Sequence, residues 1–461
     1  MTIWFDVEDL FEYARAMARP SGIQRLSYEL YDALQRSNPG AIGFARHDMR
    51  RDCMVVTDWA EVQQTFLRMT AAQPPAPTLS PDTSPALMHS PLTRVSLLRA
   101  AAQRMPREVR QPLGDAIRAQ LSVVRNLARA ARALPAALSS RGRRQSAAGE
   151  GGSSGNKLVE VARPGDTLAS FGSPWSLPDY PGQIARLRAS AGMRYSVLIY
   201  DMIPVVRPEY CDRGLVAMFS RCTAGIIPQA DTILAISQSS VRDINEWATR
   251  EGVALRSTPK AIPIGTGFGH AAPADTLPGG LVPGGYALFV STIEARKNHV
   301  LAFRAWRRLL DELGPKRVPT LVFAGRVGWM VADLMQQIHN ARHLGGKLVL
   351  VENPDDATLA ALYRGARFTL FPSLYEGWGL PVSESLAFGK VCLASNSTSV
   401  PEAGGEFCLY HDPDSVSEAT QLYRRAITEP ELVAALEERI ARAYRPTPWS
   451  STARAVLDAL A

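Results

Sequence analysis

Two carboxylates eight residues apart, Glu376 and Glu384, and two adjacent cations, Arg296 and Lys297, have types and spacing suited to chemistry. Glu376 lies in a loop, Ser373–Leu380, that also carries Gly377 and Gly379. Pro381 opens the next helix at its first position, where its missing N–H is not needed. Glu384 then falls within the first turn or so of that helix. The N–H groups of Gly379 and Leu380 face outward with the helix dipole behind them, which suits a phosphate. Arg296 and Lys297, between a strand and a helix N-terminus, can neutralise a diphosphate and stabilise its charge as a sugar–phosphate bond breaks. An anion cradle flanked by two hydroxyl acceptors has the pattern of a nucleotide sugar. The same residues also have a plain reading: a helix-favouring Glu384, a solvated Glu376 and a solvated pair of bases.

The elements that must position these residues read as βαβ units. Phe368–Pro372 is a short apolar run suited to a strand buried on both faces. Gly389 closes the helix in the left-handed conformation, and Val391–Ala394 forms the following strand. Upstream, Tyr286–Val290 is a strand, and a helix from about His299 to Leu313 carries Val300, Leu301, Phe303, Trp306, Leu309 and Leu310 on its apolar positions. Thr320–Gly325 is the next strand, and Arg326 follows it, either reaching the nucleotide or solvated. Leu348–Val351 comes next, then Asp355-Asp356 as a helix cap. Helices run from about Ser415 to Tyr444, and Trp449 lies at the start of a last one. In the first half, Thr2–Val7 is a strand, and Ser21-Gly22-Ile23-Gln24-Arg25 opens a helix bearing Leu26, Leu30, Tyr31 and Leu34. Gly22 either lets backbone amides approach a ligand or serves as part of a helix cap. Asp166–Phe171, Tyr195–Tyr200 and Asp231–Ser237 are further strands, and Ala261–Gly267 is the last of this half. Ligands of open α/β sheets bind at the carboxyl ends of strands. The loops bearing Trp175 and Asp201 therefore open on one edge of the sheet, and the resemblance given below implies a second substrate beside Gly22, Trp175 and Asp201, although an Asp after a strand is also a common helix cap.

Length and composition bound the rest. A chain of 461 residues holds two or three domains. No run of about 18 apolar residues is present, which speaks against a transmembrane helix. The acidic start, MTIWFDVEDL, has no basic leader region. Five scattered cysteines without a CxxC pair suit a reducing cytoplasm and argue against zinc. His339 and His343 stand four apart but lack the Glu of an HExxH site, so a solvated helix face is expected, with no metal and no cofactor. Between Arg94 and Arg144 lie twelve arginines against Glu108 and Asp115, a net +10 that leaves −3 for the remainder of a +7 chain. The basicity is thus one local arm, and a nucleic-acid groove is not expected. Residues 72–90 are Pro- and Ser-rich and 145–156 are Gly- and Ser-rich, so 72–156 reads as an Arg-rich helical insertion. Its residues 91–144 either lie on an anionic membrane as basic amphipathic helices or solvate themselves. The expected location is cytoplasmic, peripheral at the inner membrane face where the arm binds. The first βα turn has no GxGxxG, which argues against a nicotinamide dehydrogenase.

The segment EGWGLP…E, with Glu376, Gly377, Gly379, Leu380, Pro381 and Glu384, then Gly389 and Pro401-Glu402, resembles the donor-site signature of retaining glycosyltransferases of family 4. That resemblance implies the α/β GT-B fold: two Rossmann-like, doubly wound domains facing a cleft. It implies that Glu376 contacts the transferred sugar and Glu384 the nucleotide ribose. EARKN resembles the phosphate-binding loop, with Lys297 as diphosphate ligand, although Ser291-Thr292 stands where many relatives have Gly-Arg. SGIQR resembles the glycine loop of polysaccharide-type members. YDMIP…PEY resembles a segment in which many members carry His-Asp. Here Tyr200 replaces the His, so no catalytic His carries over, and Asp201 remains for acceptor binding or proton handling. The implied organisation is an acceptor domain over 1–267, a linker over 268–285, a donor domain over 286–445 and a helix over 446–461 crossing back to the first domain. The implied catalytic set is Glu376, Lys297 and Asp201. The resemblance points first to mannose from GDP-mannose, then to rhamnosyl or glucosyl transfer. The acceptor is a saccharide or lipid-linked saccharide in surface polysaccharide synthesis. Retention at the anomeric carbon is implied, with the leaving diphosphate helping to deprotonate the acceptor. A phosphorylase- or epimerase-like GT-B enzyme and a non-catalytic assembly protein are the other readings.

Overall fold

The computed structural model describes residues 1–16, 19–49, 51–70, 156–267 and 276–461. The basic arm over 91–144, nearly all of the 72–156 insertion and residues 268–275 of the linker lie outside the described residues.

Short, mostly apolar runs build two separate sheets. The first contains β1 (Ile3–Asp6), β2 (Ile42–Asp48), β3 (Cys53–Thr57), β4 (Thr167–Ser170), β5 (Arg194–Ile199), β6 (Thr232–Ala235) and β7 (Lys260–Ala261), in the order β3-β2-β1-β4-β5-β6-β7. All neighbours are parallel except β2 and β3, which form an antiparallel edge. β1 is central, with Ile3 level with both Ile42 and Thr167, and β1 and β4 are buried along their whole length as a parallel core requires. The second sheet contains β8 (Tyr286–Val290), β9 (Thr320–Ala324), β10 (Leu348–Val351), β11 (Phe368–Phe371), β12 (Cys392–Ser395) and β13 (Leu409–His411), in the order β10-β9-β8-β11-β12-β13. Every pair in it is parallel. Both sheets are doubly wound, as the sequence predicts. Their strand order reverses between β1 and β4 and between β8 and β11, so ligand crevices are expected outside the carboxyl ends of those strands.

The edge β2–β3 and the helices Glu8–Ala16 and Trp59–Thr70 are additions that the sequence reading does not contain. β2 ends in Arg46-His47-Asp48, which disguises it. Arg46 is satisfied there by Glu8 at 3.4 Å and Glu61 at 2.6 Å. The His339–His343 pair does not share a helix face. The helix Ala332–Asn340 ends before His343, which sits with φ of +53° in a left-handed turn.

The expected linker is ordered against the second sheet from Leu277 onward. Leu277 and Leu281 pack on the core around Tyr286, and Gly284 N–H donates to the Gly365 carbonyl. The last helix, Trp449–Leu460, packs on the helix Gly22–Ser37 of the first sheet and places Ala453, Val456 and Leu460 in that core. Its Trp449 ring lies on Gly265, where a Cβ would come within 2.2 Å of it. None of the helices among the described residues is long and apolar enough to cross a membrane.

Candidate functional site

The loops after β8 and β11 meet at the switch point of the second sheet, and this brings Arg296, Lys297 and Glu376 together. One Glu376 oxygen accepts from Lys297 Nζ at 2.6 Å and from Ser373 Oγ at 2.5 Å; the other faces Arg296 Nη1 at 2.8 Å. Glu376 is 7% exposed. Burial alone would raise its pKa. Arg296 and Lys297, with the hydrogen bonds from Lys297 and Ser373, outweigh burial and hold it at about 2. Arg296 also donates to Glu294 at 2.9 Å and to the Tyr375 carbonyl at 2.5 Å. Burial pulls its guanidinium down, but Glu376, Glu294 and Asp201 outweigh this and push it above its usual value. Asn298, at φ of +64°, joins the two loops by donating to the carbonyls of Pro372 at 3.1 Å and Pro413 at 2.8 Å.

A row of hydroxyls holds the Glu376 loop, and the sequence reading missed it. Ser395 donates to the Ser373 carbonyl, Ser397 to Leu374, Thr398 to Glu376, and Ser399 to both Glu376 and Trp378. Glu376 N–H in turn donates to Thr398 Oγ1 at 2.9 Å. The available signal was the run Ser-Asn-Ser-Thr-Ser directly after an apolar strand. Such a run offers side-chain partners to a loop that has no ladder of its own.

Gly377 and Gly379 have separate reasons to be glycine. A Cβ on Gly377 would come within 2.2 Å of the Tyr200 carbonyl oxygen, so the loop meets the end of β5 at backbone distance. Gly379 sits at φ of +118° and precedes the helix Leu380–Ala387, which places Pro381 second in the helix and not first. The N–H groups of Gly379 and Leu380 have no acceptor among the described residues. Glu384 is half-buried on that helix and accepts from Tyr363 Oη at 2.8 Å. Burial raises its pKa, with Arg25 opposing from the first sheet's helix. Arg25 itself pairs with Asp356 at 2.6 Å, reaching from one sheet's helices to the other's. The Arg326 carbonyl accepts from Ile293 N–H, while its side chain forms no hydrogen bond or ion pair with the Glu376 group.

On the first sheet, Asp201 is half-buried and caps the turn at Ile203, whose N–H it accepts at 3.0 Å. Burial raises its carboxyl, aided by Glu376 and opposed by Arg296 and Lys297. Trp175 packs on Phe219 with ring centres 5.2 Å apart. Trp175, Asp201, Ile23 and Gly172 line one small cavity. Gly22 faces Leu380, whose Cδ1 would lie 3.9 Å from a Cβ there. Tyr200 is buried with its hydroxyl donating to the Phe171 carbonyl at 2.5 Å, and burial pushes its pKa well up. A second residue missed in the sequence is Asp9, after β1. It is 6% exposed and fills the space where Gly172 lacks a side chain. One of its oxygens accepts from Gln24 at 3.3 Å and from Ser173 at 3.4 Å, the other has no hydrogen-bond partner among the described residues, and burial raises the carboxyl to about 6.

Residues 283–443 match the family described as Glycosyl transferases group 1. The chain is 26% identical over 219 residues to the serotype-specific mannosyltransferase WbdA of Escherichia coli, covering 45% of this chain and 26% of that protein. It is 29% identical over 255 residues to the Escherichia coli O-antigen chain mannosyltransferase B, covering 52% of this chain and 64% of that one. The chain thus spans less than two thirds of either relative. Among solved structures, Anabaena Alr3699/HepE in complex with UDP and glucose superposes with a TM-score of 0.56 at 12% identity, covering 100% of this chain and 99% of that one. That likeness concerns the fold, the GT-B arrangement of two Rossmann-like domains.

Proposed function

We propose that this GT-B chain, whose residues 283–443 are a Glycosyl transferases group 1 domain, is a retaining glycosyltransferase using a nucleotide diphosphate sugar. The observation that carries the reading is the pairing of Arg296 and Lys297 around Glu376 at the switch point of the second sheet. The two cations take the diphosphate, with the free N–H groups of Gly379 and Leu380 completing the anion cradle. Glu376 accepts from a hydroxyl of the transferred sugar, and Glu384 from the ribose. As the bond from the anomeric carbon to the β-phosphate oxygen breaks, the electron pair leaves with the phosphate, and Lys297 and Arg296 stabilise the charge. The acceptor hydroxyl attacks on the same face and gives its proton to the departing phosphate, so the configuration is kept. The acceptor, a saccharide or lipid-linked saccharide, lies near Gly22, Trp175 and Asp201. Mannose from GDP-mannose is the donor of choice, supported by the two mannosyltransferase relatives.

The test is calorimetric binding of GDP-mannose, UDP-glucose, UDP-N-acetylglucosamine and dTDP-rhamnose to the wild type and to Lys297→Ala. One donor should bind, and Lys297→Ala should weaken it. Binding of none of the four by folded protein sinks the donor-site reading.

A further inference from the structure

We propose that Tyr375 and Asp243 are positioning residues that tie the helix Gln238–Glu251 of the first sheet to the placement of Glu376. This rests on the glycosyltransferase reading above. Tyr375 directly precedes Glu376, and its hydroxyl donates to Asp243 Oδ1 at 2.7 Å. Asp243 is 8% exposed, so this bond is sheltered from water and has a single geometry. The Tyr375 carbonyl meanwhile accepts from Arg296 at 2.5 Å. The residue is therefore fixed at both ends, to the cation of the donor site and to the opposite sheet's helix. The Arg207 guanidinium lies 5.7 Å from the Tyr375 ring centre and covers it from the first sheet's side.

A second contact holds the same helix about one turn away. Glu402 accepts from Gln238 N–H at 2.7 Å and Ser239 N–H at 2.8 Å, an acid across the interface capping a helix N-terminus. Glu402 follows the Ser395–Ser399 hydroxyls that lace the Glu376 loop. Ser240 of the same helix donates to the Tyr200 carbonyl at 3.0 Å, the atom against which Gly377 is seated. Three points on one helix thus touch Tyr375, the segment behind the Glu376 loop and the strand end bearing Asp201. Separating the two sheets by rotation breaks the first two and draws the Tyr200 carbonyl away from Gly377, so the Glu376 loop is then held from its own sheet alone. Glu376 then keeps its partners Ser373, Arg296 and Lys297 but loses the tie that fixes the Tyr375 side of its loop. The cations assigned to the diphosphate, Arg296 and Lys297, lie on the second sheet's loops and make their ion pairs there, with Glu294 and Glu376. Donor affinity is therefore separable from placement.

The experiment uses the full chain, with GDP and UDP as binding probes and nucleoside diphosphate release from the sugar nucleotide that the wild type turns over. Tyr375→Phe and Asp243→Ala should each lower kcat by about tenfold, the scale of a hydrogen bond to a charged group, with the nucleoside diphosphate Kd within about twofold of wild type. Asp243→Asn keeps an acceptor oxygen and should retain wild-type turnover. The double variant should be no slower than the slower single one, because both remove one couple. If Tyr375→Phe turns over like the wild type, or the two losses multiply, the couple is refuted while the donor site stands. A wild type that binds neither nucleotide and releases none overturns the glycosyltransferase reading itself. Should Tyr375→Phe fail to fold, the contrast of Asp243→Asn with Asp243→Ala decides the matter alone.

Discussion

Replacing Glu376 by Gln separates what this carboxylate does for the fold from what it does for a ligand. Glu376 neutralises both cations assigned to the diphosphate, at 2.8 Å and 2.6 Å. Its pKa stands at about 2 against an ordinary 4.5. That difference is worth about 3 kcal/mol in favour of the charged form. Gln keeps the shape and loses the charge, leaving Arg296 and Lys297 buried without a full partner, so the folded state should lose about 2–4 kcal/mol. At about 2–4 °C per kcal/mol for a domain of this size, the melting temperature should fall by roughly 4–16 °C. A carboxyl depressed in the folded state stabilises above its unfolded pKa and loses that effect as pH falls through its folded one. The gap between wild type and variant should therefore be full at pH 7 and narrow from about pH 4.5 towards pH 2. A nucleoside diphosphate returns the missing negative charge, whereas in the wild type it must share the cations with Glu376. GDP or UDP should accordingly bind the variant about tenfold more tightly and raise its melting temperature further, although sugar transfer is lost. Scanning calorimetry with and without GDP and UDP measures both effects. A variant that melts within about 2 °C of wild type and gains nothing extra from either nucleotide refutes the reasoning.

Gly377→Ala should fold normally by circular dichroism but lower transfer by about 10–100-fold, because its Cβ meets the rigid Tyr200 carbonyl and must push the two sheets apart. Wild-type turnover from this variant would show that the close approach is unimportant. Asp9→Asn should stabilise the protein at pH 7–8 by up to about 3 kcal/mol and flatten its stability between pH 4 and 6. The sign follows from burial, which raises Asp9 to about 6 and makes its ionised form unfavourable in the folded state. Urea titrations of both proteins across that range test it, and a destabilised variant at pH 8 would disprove it.

The sheets were legible because their strands announce themselves locally. Phe368–Phe371, Tyr286–Val290 and Thr320–Ala324 are apolar throughout and end in loops rich in glycine, proline or charge. A strand buried on both faces has no choice but to read this way. β2 escaped because it lies next to the edge and carries Arg46, His47 and Asp48, whose partners lie elsewhere in the chain. Arg46 depends on Glu8, which is 38 residues away, and His47 on Gln183, which is 136 away. No window of sequence can show that such charges will be satisfied inside a fold.

The candidate site divides along the same line. Glu376, Gly379 and Glu384 belong to one loop and the helix that follows it, so one short stretch of sequence carries all three. Arg296 and Lys297 join them because β8 and β11 are neighbours at the switch point, which the βαβ order already implies. The residues that hold this group in place are another matter. Asp243 stands 132 positions from Tyr375, and Gln238 164 from Glu402. Each, taken alone, is an ordinary polar residue on a helix or in a loop. Their roles exist only once the two sheets face each other, and no local pattern encodes that geometry. Chemistry that needs several groups within one loop can be read from a sequence, whereas the control of when those groups are aligned depends on contacts that only the folded chain creates.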